Sequence, residues 1–244
     1  MKKSISIWSF YGNWSLEQKL HLAKEAGFAG FEIDLSEDGP LNLQSTTADL
    51  KTIRALADKC GVTLSGVATG LYWGANACSA DPAVRQKAAT ILQKQIESAA
   101  ALGVDAILVV PGAVGVDFIP GGEVVPYHLA YQRAQDFIKS ALPVAEKAKV
   151  TLCVENVWNK FLLSPLEMKA FIDGFGSDRV GSYFDVGNTL AKLEREVDGL
   201  IKFRLRELRK DRHRFTDLVL ALRINELHCR PIPLTVLNHF AAPL

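Results

Sequence analysis

Two acids occupy positions from which they could do chemistry. The run Thr151–Val157 ends Cys-Val-Glu155-Asn156-Val, followed by Trp158 and Asn159, and the run Gly181–Val186 ends Tyr-Phe-Asp185-Val, followed by Gly187 and Asn188. Each apolar stretch thus terminates in a carboxylate with an amide close behind it. If the two runs are neighbouring strands, the acids lie about 5 Å apart. Carboxylates that close repel unless a proton or a cation sits between them, and oxygen donors of this kind suit Mg2+ or Mn2+, with Co2+ or Zn2+ as alternatives when an imidazole joins. A strand-end acid also caps helices and solvates loops. Its repetition on consecutive strands favours the metal.

Acids placed this way need strands to carry them. Short β-branched or aromatic runs alternate with longer stretches of helical period, the pattern of parallel strands joined by crossover helices. The strands are Ser4–Phe10, Gly30–Leu35, Thr63–Thr69, Ala106–Pro111, Thr151–Val157 and Gly181–Val186, mostly continuous apolar runs as expected of strands covered on both faces. The helices are Ser15–Gly27, Thr46–Gly61, Asp81–Gly103, Pro126–Lys149 and Ser164–Gly176; several open on a capping Ser, Thr or Asp, and Gly27, Gly61 and Gly103 end three of them. The fold class is α/β, a TIM-type (β/α) barrel with six clear β/α units. No G-x-G-x-x-G follows the first strand to support a dinucleotide fold. The 244 residues match the roughly 250 of a single barrel domain spanning residues 1–244. After Thr189 the text changes: residues 189–244 hold 11 Lys and Arg against 7 Asp and Glu and one glycine, Gly199. Leu190–Leu227 reads as one or two charged amphipathic helices and Leu234–Leu237 as a short strand, an atypical, mainly helical C-terminal segment.

Composition narrows the partners. A formal net charge of +1 argues against polyanions, so the expected partner is a small molecule, with no nucleic acid and no membrane. MKKSISIWSF lacks the apolar core of a signal peptide and no run is long enough to span a bilayer, so the expected location is cytoplasmic. Cys60, Cys78, Cys153 and Cys229 are scattered without a C-x-x-C pair and read as buried reduced thiols.

The segments VENVWNKFLLSPLEMKAFID and VGSYFDVGNTL, with EAGFAGFEIDL on strand two and DPAVRQKA and AAALGVDAILVVPG around strand four, resemble the xylose-isomerase-like barrel superfamily. Within it they are similar to the sugar and sugar-phosphate isomerases and epimerases of the D-tagatose 3-epimerase and L-ribulose-5-phosphate 3-epimerase kind. The resemblance covers about residues 1–189, and residues 190–244 diverge. It implies a divalent metal held by a Glu, an Asp, a His and a second Glu at the ends of strands five to eight. Glu155 and Asp185 match the first two. It also implies that Glu155 moves a proton at the carbon beside the substrate carbonyl through an enediolate, which requires a positioned base and an electrophile on the enolate oxygen. Trp8, Glu32, Trp158, Asn159 and Asn188 are the expected sugar-binding residues, with Thr69, Tyr72 and Trp73 as further strand-end candidates. The loop Gly112–Gly122 suits a lid or a backbone approach to phosphate.

No His or second Glu at the family's spacing is evident. His213 lies in the basic run RKDRHRF, His228 and His239 are differently spaced, and Glu226 serves only if the tail folds over the barrel mouth. An alternative reading is therefore a catalytically impaired barrel that binds a sugar or a protein partner, including a second copy of itself. A nuclease on the same barrel would need early-strand histidines, and only His21 and His128 precede the tail, both on expected helices.

Overall fold

Residues 3–189 of a computed structural model are described. The expected readings at His213, His228, His239, Glu226, Cys229, Leu190–Leu227 and Leu234–Leu237 lie outside them. The strands are β1 (Ser4–Ser6), β2 (Gly30–Ser36), β3 (Leu41–Asn42), β4 (Thr63–Ala68), β5 (Ala106–Val109), β6 (Thr151–Glu155) and β7 (Val180–Tyr183). The helices are α1 (Leu16–Glu25), α2 (Thr47–Lys59), α3 (Pro82–Leu102), α4 (Tyr127–Ala148) and α5 (Pro165–Asp173). The main sheet runs β1-β2-β4-β5-β6-β7 with every pair parallel, and the two-residue β3 pairs with the end of β2. This is the expected sequential β/α winding.

The helices form where the sequence supplies their ends. Ser15 with Gln18 and Thr46 with Asp49 build complete capping boxes, and Asp81 and Ser164 cap α3 and α5 through their side chains. Gly103 closes α3 in the left-handed region at φ 69°, a conformation that a glycine adopts without a Cβ penalty. The inner faces of the helices and the outward residues of the strands form one core, in which Phe31, Ile33, Leu35, Ile91, Ile96, Leu152 and Val154 are fully buried.

β1, β5, β6 and β7 stop two or more residues short of the apolar runs that announced them, and β4 stops one short. Ile7–Ser9 winds into a 3-10 turn because Ser6 Oγ accepts from the Trp8 N–H. β5, β6 and β7 leave the ladder at Val109, Glu155 and Tyr183, where the neighbouring strands also end and backbone pairing is replaced by side-chain amides. β4 and β5 pair at one register position, Val67 with Ile107. There Gln95 of α3 inserts its amide, donating to the carbonyls of Val67 (2.8 Å) and Leu108 (2.9 Å) while accepting from Tyr72. A buried carbonyl left unpaired would cost about 1–3 kcal/mol.

The sheet is curled. Tyr183 on β7 donates its hydroxyl hydrogen to Glu32 on β2, from opposite parts of the strand order, so both side chains point into a shared interior. Small residues clear their path: Ser6 and Gly66 flank Glu32 in the register, and a β-carbon on Gly66 would come within 3.2 Å of Glu32 Oε1. The register shift on β4 opposite Phe31 and Glu32 is a bulge at the same level, a device that re-aims side chains.

Candidate active site

Glu155 ends β6 with its Cα paired to that of Tyr183, and Asp185 follows Tyr183 by two residues. Alternation along the strands then puts Glu155 and Tyr183 on the interior face, and Asp185, just past β7, lies close enough for Glu155 to feel its charge at the carboxyl end of the sheet. That is the end at which (β/α) barrels carry their sites. Burial holds the Glu155 carboxyl well above the usual carboxylate range, and the negative charges of Asp185 and then Glu32 push it the same way. No side chain among the described residues hydrogen-bonds that carboxylate. Asp185 Oδ1 accepts the N–H of Asn188 (2.8 Å) at the start of helical residues 186–189, so this acid also caps a helical turn.

Asn156 sets the spacing of the pair. Its Oδ1 accepts the Asp185 N–H (2.7 Å) and its Nδ2 donates to the Asp185 carbonyl (2.8 Å) and to Thr189 Oγ1 (3.0 Å). Asn188 returns the contact, donating from Nδ2 to the Asn156 carbonyl at 2.9 Å. Two amides thus stitch β6 to β7 just beyond the ladder. The amide after each acid was visible in sequence as a pattern; that Asn156 clamps the backbone of Asp185 was not.

The other expected site residues divide. Trp8 and Trp158 stand at the rim, 40% and 47% exposed. Trp8 Nε1 donates to Asp34 Oδ2 at 3.2 Å. Asn159 is 2% exposed; its Nδ2 donates to the Gly112 carbonyl (2.8 Å), its Oδ1 accepts from Phe161 N, and its own carbonyl accepts from Val114 N (3.0 Å). It binds the loops after β5 and β6 together. Asn188 serves the clamp. Glu32 is fully buried beneath the mouth; burial lifts its pKa to about 7 against the opposing hydrogen bonds of Tyr183 and Ser6. Its Oε2 has no partner among the described residues.

Thr69 and Tyr72 are buried, bonded to the Leu35 carbonyl and to Gln95, whereas Trp73 is half-buried beside Trp8. Gly112 packs on Cys78, whose Sγ lies 2.0 Å from where a β-carbon would stand, so its close approach is to the protein itself. Cys60, Cys78 and Cys153 are buried free thiols. His21 and His128 lie on α1 and α4, away from the strand ends that a nuclease would arm. No described helix is long and apolar enough to cross a membrane.

Asp34 escaped the sequence reading. The alternation Glu32-Ile33-Asp34 puts it one step above Glu32 on the same face, the signal that would have found it. It lines a cleft of about 310 Å³ with Trp8, Ser36, Gly70 and Trp73.

A family model described as xylose isomerase-like TIM barrel matches residues 20–229, past Thr189 and into the stretch that sequence reading set apart. The chain is 27% identical over 189 residues to a Haemophilus influenzae protein provisionally named L-ribulose-5-phosphate 3-epimerase SgbU, an alignment covering 73% of this chain and 61% of that protein. The chain thus spans 61% of the length of this curated relative. A crystal structure of D-psicose 3-epimerase in the presence of D-fructose superposes with a TM-score of 0.66 at 21% identity, covering 82% of this chain and 67% of the other. A structure of L-ribulose 3-epimerase gives 0.64 at 20% identity over 81% of this chain and 63% of the other. At these identities the two structures speak for the fold. The family match spans most of the chain, and the chain belongs to the xylose isomerase-like TIM barrel family.

Proposed function

We propose that this protein is a divalent-metal-dependent sugar epimerase or aldose–ketose isomerase that moves a proton beside a carbonyl. The observation that carries the reading is Glu155: a half-buried strand-end carboxylate without a hydrogen-bond donor among the described residues, set beside Asp185. The names of the three relatives given above, each a sugar or sugar-phosphate 3-epimerase, point the same way.

The donor set fits a cation. Glu155 and the Oδ2 of Asp185 offer hard oxygens at two adjacent strand ends, and a positive charge between them would offset the desolvation, and then the repulsion, that lift the Glu155 pKa. Mn2+ or Mg2+ suits these oxygens, with Co2+ or Zn2+ if an imidazole contributes. No group of three His, Cys, Asp or Glu converges among the described residues, and the family's His and second Glu would follow Asp185 in the chain, outside them. A bound ion supplies the positive charge opposite the developing enolate oxygen.

The chain's own residues do the rest. Desolvation makes Glu155 a stronger base than a free carboxylate, suited to take the proton from the carbon beside the substrate carbonyl. Returning that proton to the neighbouring carbon interconverts aldose and ketose. Delivery by a second acid to the opposite face inverts the centre. The clamp of Asn156 and Asn188 holds Asp185 in register with Glu155, and Trp8 and Trp158 offer apolar faces at the rim.

The test is incorporation of solvent deuterium at the substrate α-carbon by the full chain with added Mn2+ or Mg2+, across a panel of ketoses and their phosphates. The expected result is metal-dependent exchange that Glu155→Gln lowers by about 10²–10⁴-fold. Exchange with none of them would leave a non-catalytic sugar-binding barrel as the reading.

A further inference from the structure

The cleft beside Asp34 bears on which end of a sugar this mouth admits. Glu32 and Tyr183 are hydrogen-bonded across the interior; Asp34 stands two residues further along β2, and Asp185 two residues past Tyr183, beyond the end of β7. Residues two apart on a strand share a face and lie about 6–7 Å apart, so Asp34 rises above Glu32 on the interior face of β2. Glu32 feels the charge of Asp34, and Glu155 those of Asp185 and Glu32, so Glu32 links Asp34 to the pair of acids within one interior. A molecule whose reacting carbon lies at Glu155 extends its remote end toward β2.

That side is built for hydroxyls. The cleft holds about 310 Å³, within the size of a small-ligand site, between the indoles of Trp8 and Trp73. The Trp8 indole fixes Asp34 by donating to Oδ2 at 3.2 Å. The Ser36 hydroxyl is engaged by the Gly39 N–H at 3.1 Å, which leaves Asp34 as the charged acceptor among the lining residues. Lys19 of α1 is the cation that the carboxylate senses and Glu32 the acid beneath it, and neither lines the cleft. Half-buried and acceptor-only, Asp34 binds hydroxyl hydrogens and repels a phosphate dianion in a medium where charges are poorly screened.

We infer that the cleft of Trp8, Asp34 and Trp73 receives the remote, hydroxyl-bearing end of the substrate, so that the enzyme takes free sugars in preference to their terminal phosphate esters. The inference rests on the reading of Glu155 and Asp185 as an enzymatic centre. Asp34 is the residue that sets the preference.

The experiment compares L-ribulose with L-ribulose 5-phosphate on the full chain with Mn2+, reading α-proton exchange and, separately, quenching of tryptophan fluorescence. The expected result is a kcat/KM for L-ribulose at least tenfold above that for the phosphate. Asp34→Asn, which keeps an acceptor for Trp8, should raise KM for L-ribulose roughly tenfold, the scale of a hydrogen bond to a charged group, and shrink the ratio between the two sugars. Asp34→Lys should reverse the ratio. A variant that folds poorly lowers both rates and leaves their ratio alone. A wild type that prefers the phosphate, or a ratio unchanged in Asp34 variants whose circular dichroism and urea midpoint match the wild type, overturns the inference while leaving the epimerase reading intact. If neither sugar exchanges, the epimerase reading fails instead, and fluorescence decides: quenching by L-ribulose that Asp34→Asn weakens supports the cleft, and its absence overturns it.

Discussion

At the scale of single residues, burial governs the acids of the interior. Glu32 has no exposed surface and a pKa of about 7 in the folded protein against 4.5 for a free side chain. Between those two pH values the folded state holds a proton that the unfolded state has lost. Stability from this group is therefore complete below pH 4.5 and lost as pH rises through about 7. Over the whole window the loss amounts to about 3 kcal/mol, at about 1.4 kcal/mol per pH unit. Urea midpoints measured at pH 5 and pH 8 should fall for the wild type and fall less for Glu32→Gln, whose amide keeps an acceptor for Tyr183 and cannot ionise. Equal falls would place the pH dependence elsewhere. Glu155, raised in the same direction, contributes the remaining slope in both proteins.

At the scale of elements, the site depends on how two strands end. Past Glu155 and Tyr183 the ladder of β6 and β7 stops, and Asn156 takes over both the N–H and the carbonyl of Asp185. Asn156→Ala leaves those backbone groups unpaired and should cost about 1–3 kcal/mol in urea unfolding. Because the clamp positions a proposed ligand, the same substitution should weaken Mn2+ binding or exchange activity by about 10–100-fold, beyond what a loss of stability alone produces. Titration with Mn2+ under conditions where the variant remains folded separates the two effects. Unchanged Mn2+ affinity would reduce Asn156 to a packing role.

At the scale of the molecule, the Tyr183–Glu32 bond ties the first half of the barrel to the second, and Glu155 and Asp185, at and just past the ends of β6 and β7, would hold the proposed cation. An ion that binds the folded barrel and not the unfolded chain stabilises it by mass action, about 2.7 kcal/mol at a hundredfold excess over its dissociation constant. Thermal unfolding should therefore shift upward with added Mn2+ and return with a chelator. The shift should be absent in the Glu155→Gln, Asp185→Asn double variant. A shift that persists in the double variant would move the ion to another site.

The sequence by itself determined the order of strands and helices, the capped helix starts at Ser15, Thr46, Asp81 and Ser164, and the two strand-end acids, because periodicity and caps are settled by residues a few positions apart. It also carried the family resemblance, since VENVWN and YFDVGN are contiguous. Strand ends were overextended, because an apolar run does not reveal where its neighbour stops pairing. Only the tertiary structure decided that Tyr183 meets Glu32 across 151 positions of chain, that Asn156 clamps Asp185, that Asn159 joins two loops, and that Trp8 holds Asp34 in a cleft. Each of those is a contact between residues far apart in sequence, fixed by the curl of the sheet and by the space that Gly66 and Ser6 leave open inside it.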